Sequence, residues 1–224
     1  MVRKIAKLLC TALLAGTAFS AGAFNLSLDV VFTDSNYQAT GSDSFSDLLA
    51  AHNAANIISD TSVLALDGVD TSVYAGNISG DYSVLMTATL DINLAGSYEF
   101  QVGTDWGRGG GVALFDTASN TQLEEYVTSS DIWWANSWSN SDVISTTYEF
   151  TENQYTIMWL GFEGCCAGSS TIRFAYEGGA FQTASMTNLA PHVVPLPASI
   201  YLLGAAIFGM SITRRTSRRV KQAI

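Results

Sequence analysis

Eight of the ten basic residues of this 224-residue chain lie at its two ends, each group beside an apolar run. That segregation decides what the middle of the chain can become. Arg3, Lys4 and Lys7 precede an apolar stretch at 8–19 that closes on the small residues Ala21, Gly22 and Ala23. This is the pattern of a cleaved secretory signal, which places residues 1–23 outside the mature protein and its first residue near Phe24. Cys10 leaves with that signal. At the other end, residues 199–213 contain neither Pro nor charge and are followed by Arg214, Arg215, Arg218, Arg219 and Lys221. A membrane helix at about 198–213 is expected, short against the roughly 20 residues of a permanent span. Its basic flank would be held in the cytoplasm.

Between these ends, residues 24–190 hold all 20 acidic residues but only two basic ones, Arg108 and Arg173, a charge of about −18. Such a surface repels nucleic acid and other polyanions. It reads best as a solvated acidic coat, and it leaves Ca2+ open as a counter-ion. About 170 residues suffice for one domain with a real core. Lysine is absent from this stretch, while Gly, Ser, Thr, Asn and aromatic residues are plentiful, which favours strands and turns. The expected fold is all-β, a jelly-roll-like β-sandwich with one short helical insertion.

Residues 24–32 alternate apolar and polar at period two, as a strand with one buried face does. Ser42 or Asp43 can cap a helix in which Phe45, Leu48, Leu49, His52 and Ile57 recur as far as about Ile58. His52 reads as a packed or surface residue, since no second His stands in the domain to share a ligand with it. Further strands are expected at 82–93, 96–102, 112–116, 144–150, 154–161 and 170–176. The glycine-rich loop at 103–111 has no Lys, so it is a tight connection and not a phosphate cradle. Residues 120–141 look irregular, and 178–190 look like a polar run-out. At least seven short strands point to a sandwich and not to repeats.

Two clusters stand out. Cys165 and Cys166 are adjacent, between Gly164 and Gly168. Neighbouring Cα atoms are held about 3.8 Å apart, inside the 4.4–6.8 Å of ordinary disulfides, so a bridge between them would be strained and reducible. A vicinal disulfide, an intermolecular or reduced pair, and metal or redox chemistry all remain open. Trp133, Trp134 and Trp138 sit among Asp131, Asn136, Ser137, Ser139 and Asn140. Core or loop packing is the plainer reading of these rings, and stacking on sugar is the alternative. Metalloprotease, nucleophile-elbow, EF-hand and dinucleotide-binding motifs are all missing. The adjacent pair Glu124 and Glu125 is what 20 acidic residues produce by chance, so no enzyme is expected.

The order Val194-Pro195-Leu196-Pro197-Ala198, short apolar helix, arginine cluster resembles the VPLPA variant of the PEP-CTERM sorting domain. The resemblance covers residues 191–224. It implies recognition and cutting by an exosortase in the inner membrane of a Gram-negative bacterium, then release to the surface or matrix. The Cys-Cys-x-Gly pattern, with this tail, is similar to the CCXG family of PEP-CTERM proteins. Gly96 to Phe100, followed by Gly103-Thr104-Asp105-Trp106-Gly107 and by Glu163, loosely resembles the sandwich domain first described in anthrax protective antigen. The paired acidic calcium motif of its adhesin versions is missing here, because Trp106 follows Asp105. The expected role is a structural or adhesive protein of the exopolysaccharide, or else a carbohydrate-binding module using the Trp loop.

Overall fold

The computed structural model describes residues 26–193 except 77, 79 and 165–167. The signal peptide, the motif Val194 to Ala198, the arginine cluster and the cysteine pair therefore lie outside the described residues. Within them, the chain runs β1 (Leu26–Thr33), α1 (Phe45–Asn53), β2 (Ile57–Ser62), α2 (Thr71–Tyr74), β3 (Tyr82–Ile92) and β4 (Gly96–Gly103). It continues through β5 (Asp105–Trp106), β6 (Gly110–Asp116), β7 (Thr121–Thr128), β8 (Ile132–Trp133), β9 (Ile144–Phe150) and β10 (Asn153–Glu163). The last elements are β11 (Thr171–Tyr176), β12 (Gln182–Thr183) and α3 (Met186–Val193).

The strands form a six-stranded sheet, β2-β1-β3-β10-β6-β7, and a four-stranded sheet, β12-β11-β4-β9, with every pairing antiparallel. The sheets enclose one apolar core. Val84, Met86, Ala88 and Leu90 enter it from β3, Tyr98, Phe100 and Val102 from β4, and Ile157 and Trp159 from β10. The fold is a β-sandwich, as the alternation of the strands implied. The outer face of the six-stranded sheet is buried too, at one end. There α1 lays Phe45 and Leu48 on Leu85, Ala113, Leu160 and Phe162. Covering on both faces is why β3 and β10 contain near-continuous apolar runs.

The local chemistry of α1 sets its limits. Ser44 caps it in a capping box with Asp47. It ends at Asn53, five residues before the expected Ile58, because His52 to Ile57 is a five-residue step that no helical face accommodates. Ile57 and Ile58 instead open β2, an edge strand on which Ile57 is 66% exposed. Two stretches read as structureless are ordered. Residues 121–128 form β7, whose first six residues are all exposed, so it carried no two-residue hydrophobic signal. Residues 178–190 contain β12 and most of α3, and α3 buries Leu189 and Val193 in the main core. The His192 ring packs against Tyr98, Phe174 and Tyr176, and Tyr98 Oη lies 3.1 Å from its Nδ1. His192 is thus part of the domain, which runs past the boundary expected at residue 190.

This arrangement gives the sandwich two poles. Asn93 and Leu94, just past β3, donate to the His192 carbonyl, so α3 ends where β4 begins. β4 then runs away from α3 for eight residues, about 25 Å of strand. In β10, Asn153 pairs with Ile92 and Glu163 with Tyr82. Residues 104–109 and Glu163 therefore sit at the pole opposite α3.

Candidate functional site

The glycine-rich loop 103–111 is built around tryptophan. Trp106 is 1% exposed, and its ring fills a slot that a side chain at two glycines would close. A Cβ on Gly161 would stand 2.1 Å from Trp106 Cδ2, and one on Gly110 2.6 Å from its Cε3. On either side of this ring β5 pairs with β8, Asp105 opposite Trp133 and Trp106 opposite Ile132. Directly opposed residues of an antiparallel pair point to the same face, and successive ones to opposite faces. Trp106 and Ile132 go into the core. Asp105 and Trp133 form an outward ridge on which Trp133 is 61% exposed.

The three tryptophans of the 133–138 stretch therefore separate. Trp134 is buried against the missing side chain of Gly103, where a Cβ would approach its ring to 2.2 Å. Its Nε1 donates to the Ser169 carbonyl at 3.2 Å, and its backbone N–H to Thr104 O at 3.1 Å. Trp138, half-buried, packs tilted at 59° against Trp134 with ring centroids 4.7 Å apart, and the Arg173 guanidinium lies 4.0 Å over its ring. Packing is thus the role of Trp134 and Trp138, and Trp133 alone presents its ring to solvent. A binding test by Trp134→Ala would report on folding; the informative substitution is at Trp133. The turn after it places Ala135 and Asn136 in the left-handed region at φ 53° and 55°. Non-glycine residues held there in sequence signal a backbone constrained by its surroundings.

An open cleft of about 660 Å³ lies along the ridge, lined by Gln38, Asp105, Gly107, Arg108, Asp131, Trp133, Glu163 and Gly164. Glu163 is almost fully buried and braces the loop: its Oε2 accepts from Gly107 N at 2.8 Å and its Oε1 from Gly164 N at 2.7 Å. Arg108 donates to Asp81 at 2.8 Å and to Asn36 O at 2.7 Å. Burial, then the negative charges of Glu163 and Asp131, push the Asp105 carboxyl up to about 6. A second cavity of about 320 Å³ shares Asp105 and Trp133 and is otherwise lined by Asp70, Trp134, Asn136, Gly168 and Ser169. A side chain on Gly168 would collide with Asp105, its Cβ 2.1 Å from that residue's Cβ.

Among the described residues, no three His, Cys, Asp or Glu side chains are grouped so as to hold a metal ion. Glu124 and Glu125 point to opposite faces of β7, and Glu125 Oε2 accepts from Phe45 N at 2.8 Å, at the start of α1. His52 is packed: its Nδ1 lies 2.7 Å from Ser83 Oγ, and burial lowers its pKa to about 4. Sequence reasoning singled out Trp133 with Asp131 beside it but missed Asp105 and Glu163, which line the same cleft. The one usable signal was the Asp105-Trp106-Gly107 segment, which was read as a departure from a calcium motif and not as a ridge.

No protein-family profile matches the chain, and no curated protein does. Solved structures do resemble it. One is a PA14 sugar-binding domain from an RTX adhesin, at 17% identity and TM-score 0.48, covering 75% of this chain and 97% of that one. A PA14 domain of the MpAFP antifreeze protein is 11% identical at TM-score 0.48, over 76% and 93% of the two chains. The epithelial adhesin 6 A domain from Candida glabrata, solved with Galb1-3GlcNAc, is 8% identical at TM-score 0.47, over 75% and 88%. None of these scores reaches 0.5, and what those proteins bind is a fact about them.

Proposed function

We propose that this domain is the adhesive part of an exported surface or matrix protein, and that its ridge binds a neutral carbohydrate. The observation that carries the reading is Trp133, a large ring 61% exposed at the rim of a cleft rich in carboxylate. Exposed indole faces stack on the C–H faces of sugar rings, with the rim polar and wet. Asp105 and Asp131 offer acceptors to hydroxyl groups, and Gln38 offers an amide. The strong negative charge of the domain disfavours uronate or sulfated polymers. Trp133→Ala should abolish retention of the protein on the neutral fraction of the producing cell's exopolysaccharide. The unfolding free energy from urea titration should stay within about 0.5 kcal/mol of wild type, as for other exposed side chains. Unchanged retention would sink the reading.

The exosortase part of the proposal rests on residues 191–224 alone. The fold adds one geometric point about the uncut protein only: the cleft lies opposite the end of α3. A protein held by its C-terminal tail would turn its ridge outward. Intact mass of protein recovered outside the cells should end near Pro197 or Ala198, and the Arg214→Ala/Arg215→Ala variant should lose that product. A full-length tail retained in the inner membrane would reduce the segment to an ordinary anchor.

A further inference from the structure

The ridge has cavities that share it as a wall. The larger adds Gln38, Gly107, Arg108, Asp131, Glu163 and Gly164 to Asp105 and Trp133. The smaller adds Asp70, Trp134, Asn136, Gly168 and Ser169 to the same two residues. A pocket built for one terminal sugar needs a single closed cavity with an aromatic floor. Here Trp133 and Asp105 line both cavities, and each cavity carries a further carboxylate of its own. From this juxtaposition we infer that the site holds an internal segment of a linear, neutral polysaccharide. Successive sugar units would occupy the larger and the smaller cavity and cross over Trp133 between them.

Three details of the structure agree with that path. The ridge is rigid: Asp105 is held in register with Trp133 by strand pairing, and Trp134 N donates to Thr104 O. The smaller cavity is shaped by backbone that only special residues allow, with Asn136 at φ 55° presenting its exposed amide, and Gly168 leaving room for the Asp105 side chain. The charge of the walls also selects the polymer. Asp105, Asp131 and Glu163 line the larger cavity with one cation, Arg108, whose guanidinium is already engaged by Asp81, and Asp70 and Asp105 line the smaller one with none. A chain of uronic acids would meet carboxylates in both cavities, whereas a hydroxyl-bearing neutral chain finds acceptors in both.

This inference rests on the carbohydrate reading above, and one experiment separates their failures. Neutral glucan, mannan and galactan ladders of one to six units, and an alginate ladder as the anionic control, would be titrated by calorimetry against the protein as recovered from the producing cells. A neutral ladder should bind with affinity rising at least about tenfold from the monomer to the hexamer, equivalent to about 1.4 kcal/mol, with no binding of alginate. Asn136→Gly keeps the left-handed backbone while deleting the amide, and should collapse that ratio by lowering hexamer affinity most. Asp131→Asn, in the larger cavity, should weaken monomer and hexamer together. A monomer bound as tightly as the hexamer would overturn the two-cavity path and leave the carbohydrate reading standing. Alginate bound better than every neutral ladder would overturn the neutral-polymer assignment. No binding of any ladder would overturn both.

Discussion

Gly161→Ala should be among the most destabilising single substitutions in the domain, lowering its stability by about 3 kcal/mol. Gly161 lies in β10, between two other strands of the six-stranded sheet. The added Cβ would sit 2.1 Å from Trp106 Cδ2 and 2.2 Å from its Cε2. The strand is paired on both sides, and the ring has little room to retreat, because Trp106 is packed in the core at 1% exposure and lies over both Gly161 and its paired neighbour Gly110. In urea the midpoint should fall by about 1 M or more, given slopes of about 1–3 kcal/mol/M. Trp106 also supports Asp105, its neighbour on the ridge, so glycan binding should weaken in the same variant. Gly41→Ala is the matched control. It meets nothing within 4 Å and has no positive φ, and its midpoint should not move. A Gly161→Ala midpoint equal to wild type would mean that the tryptophan slot does not hold the ridge.

Asp105→Asn should have an effect whose sign depends on pH. The Asp105 carboxyl is raised from 3.8 to about 6 in the folded chain, first by burial and then by Glu163 and Asp131. A raised carboxylate binds its proton more tightly when folded, so its ionisation opposes folding at neutral pH. That penalty vanishes as pH falls from about 6 to below 3.8. Asparagine removes it, and Asp105→Asn should therefore melt higher than wild type at pH 7.5 and no higher at pH 4. His52 acts in the other direction. Its pKa is depressed by burial from 6.5 to about 4, so its contribution is complete above 6.5 and is lost as pH falls toward 4. In wild type the two trends oppose each other across the same window. In Asp105→Asn the His52 trend, joined by that of His192, whose pKa burial also lowers, is no longer opposed by Asp105, and stability should fall visibly between pH 6.5 and 4. A variant less stable than wild type at pH 7.5 would show that the ionised carboxylate supports the fold.

Much of the sandwich was legible because its strands have one buried face. β1, β3, β4, β9, β10 and β11 each carry a two-residue period or an apolar run, and each formed within three residues of its expected limits. What escaped were elements whose burial gives no such signal. β7 is exposed along most of its length, and α3 hides two core residues, Leu189 and Val193, in a polar stretch. The site was half legible. Composition alone drew the eye to Trp133, Trp134 and Trp138. Two adjacent tryptophans near the end of a strand must differ in role, one inward and one outward, but which is which depends on the pairing of Trp133 with Asp105, 28 positions earlier. Glu163 looked like the end of a strand, and only the fold brings its carboxylate under Gly107.

The most direct test of the carbohydrate site follows the five indole N–H resonances of Trp106, Trp133, Trp134, Trp138 and Trp159 by 15N–1H correlation during titration with the tightest-binding neutral oligosaccharide. The Trp133 resonance, assigned by Trp133→Phe, should shift most and saturate with the calorimetric affinity. Those of the buried Trp106 and Trp159 should stay in place. Saturable binding that leaves Trp133 unmoved would place the ligand elsewhere and contradict the site described here.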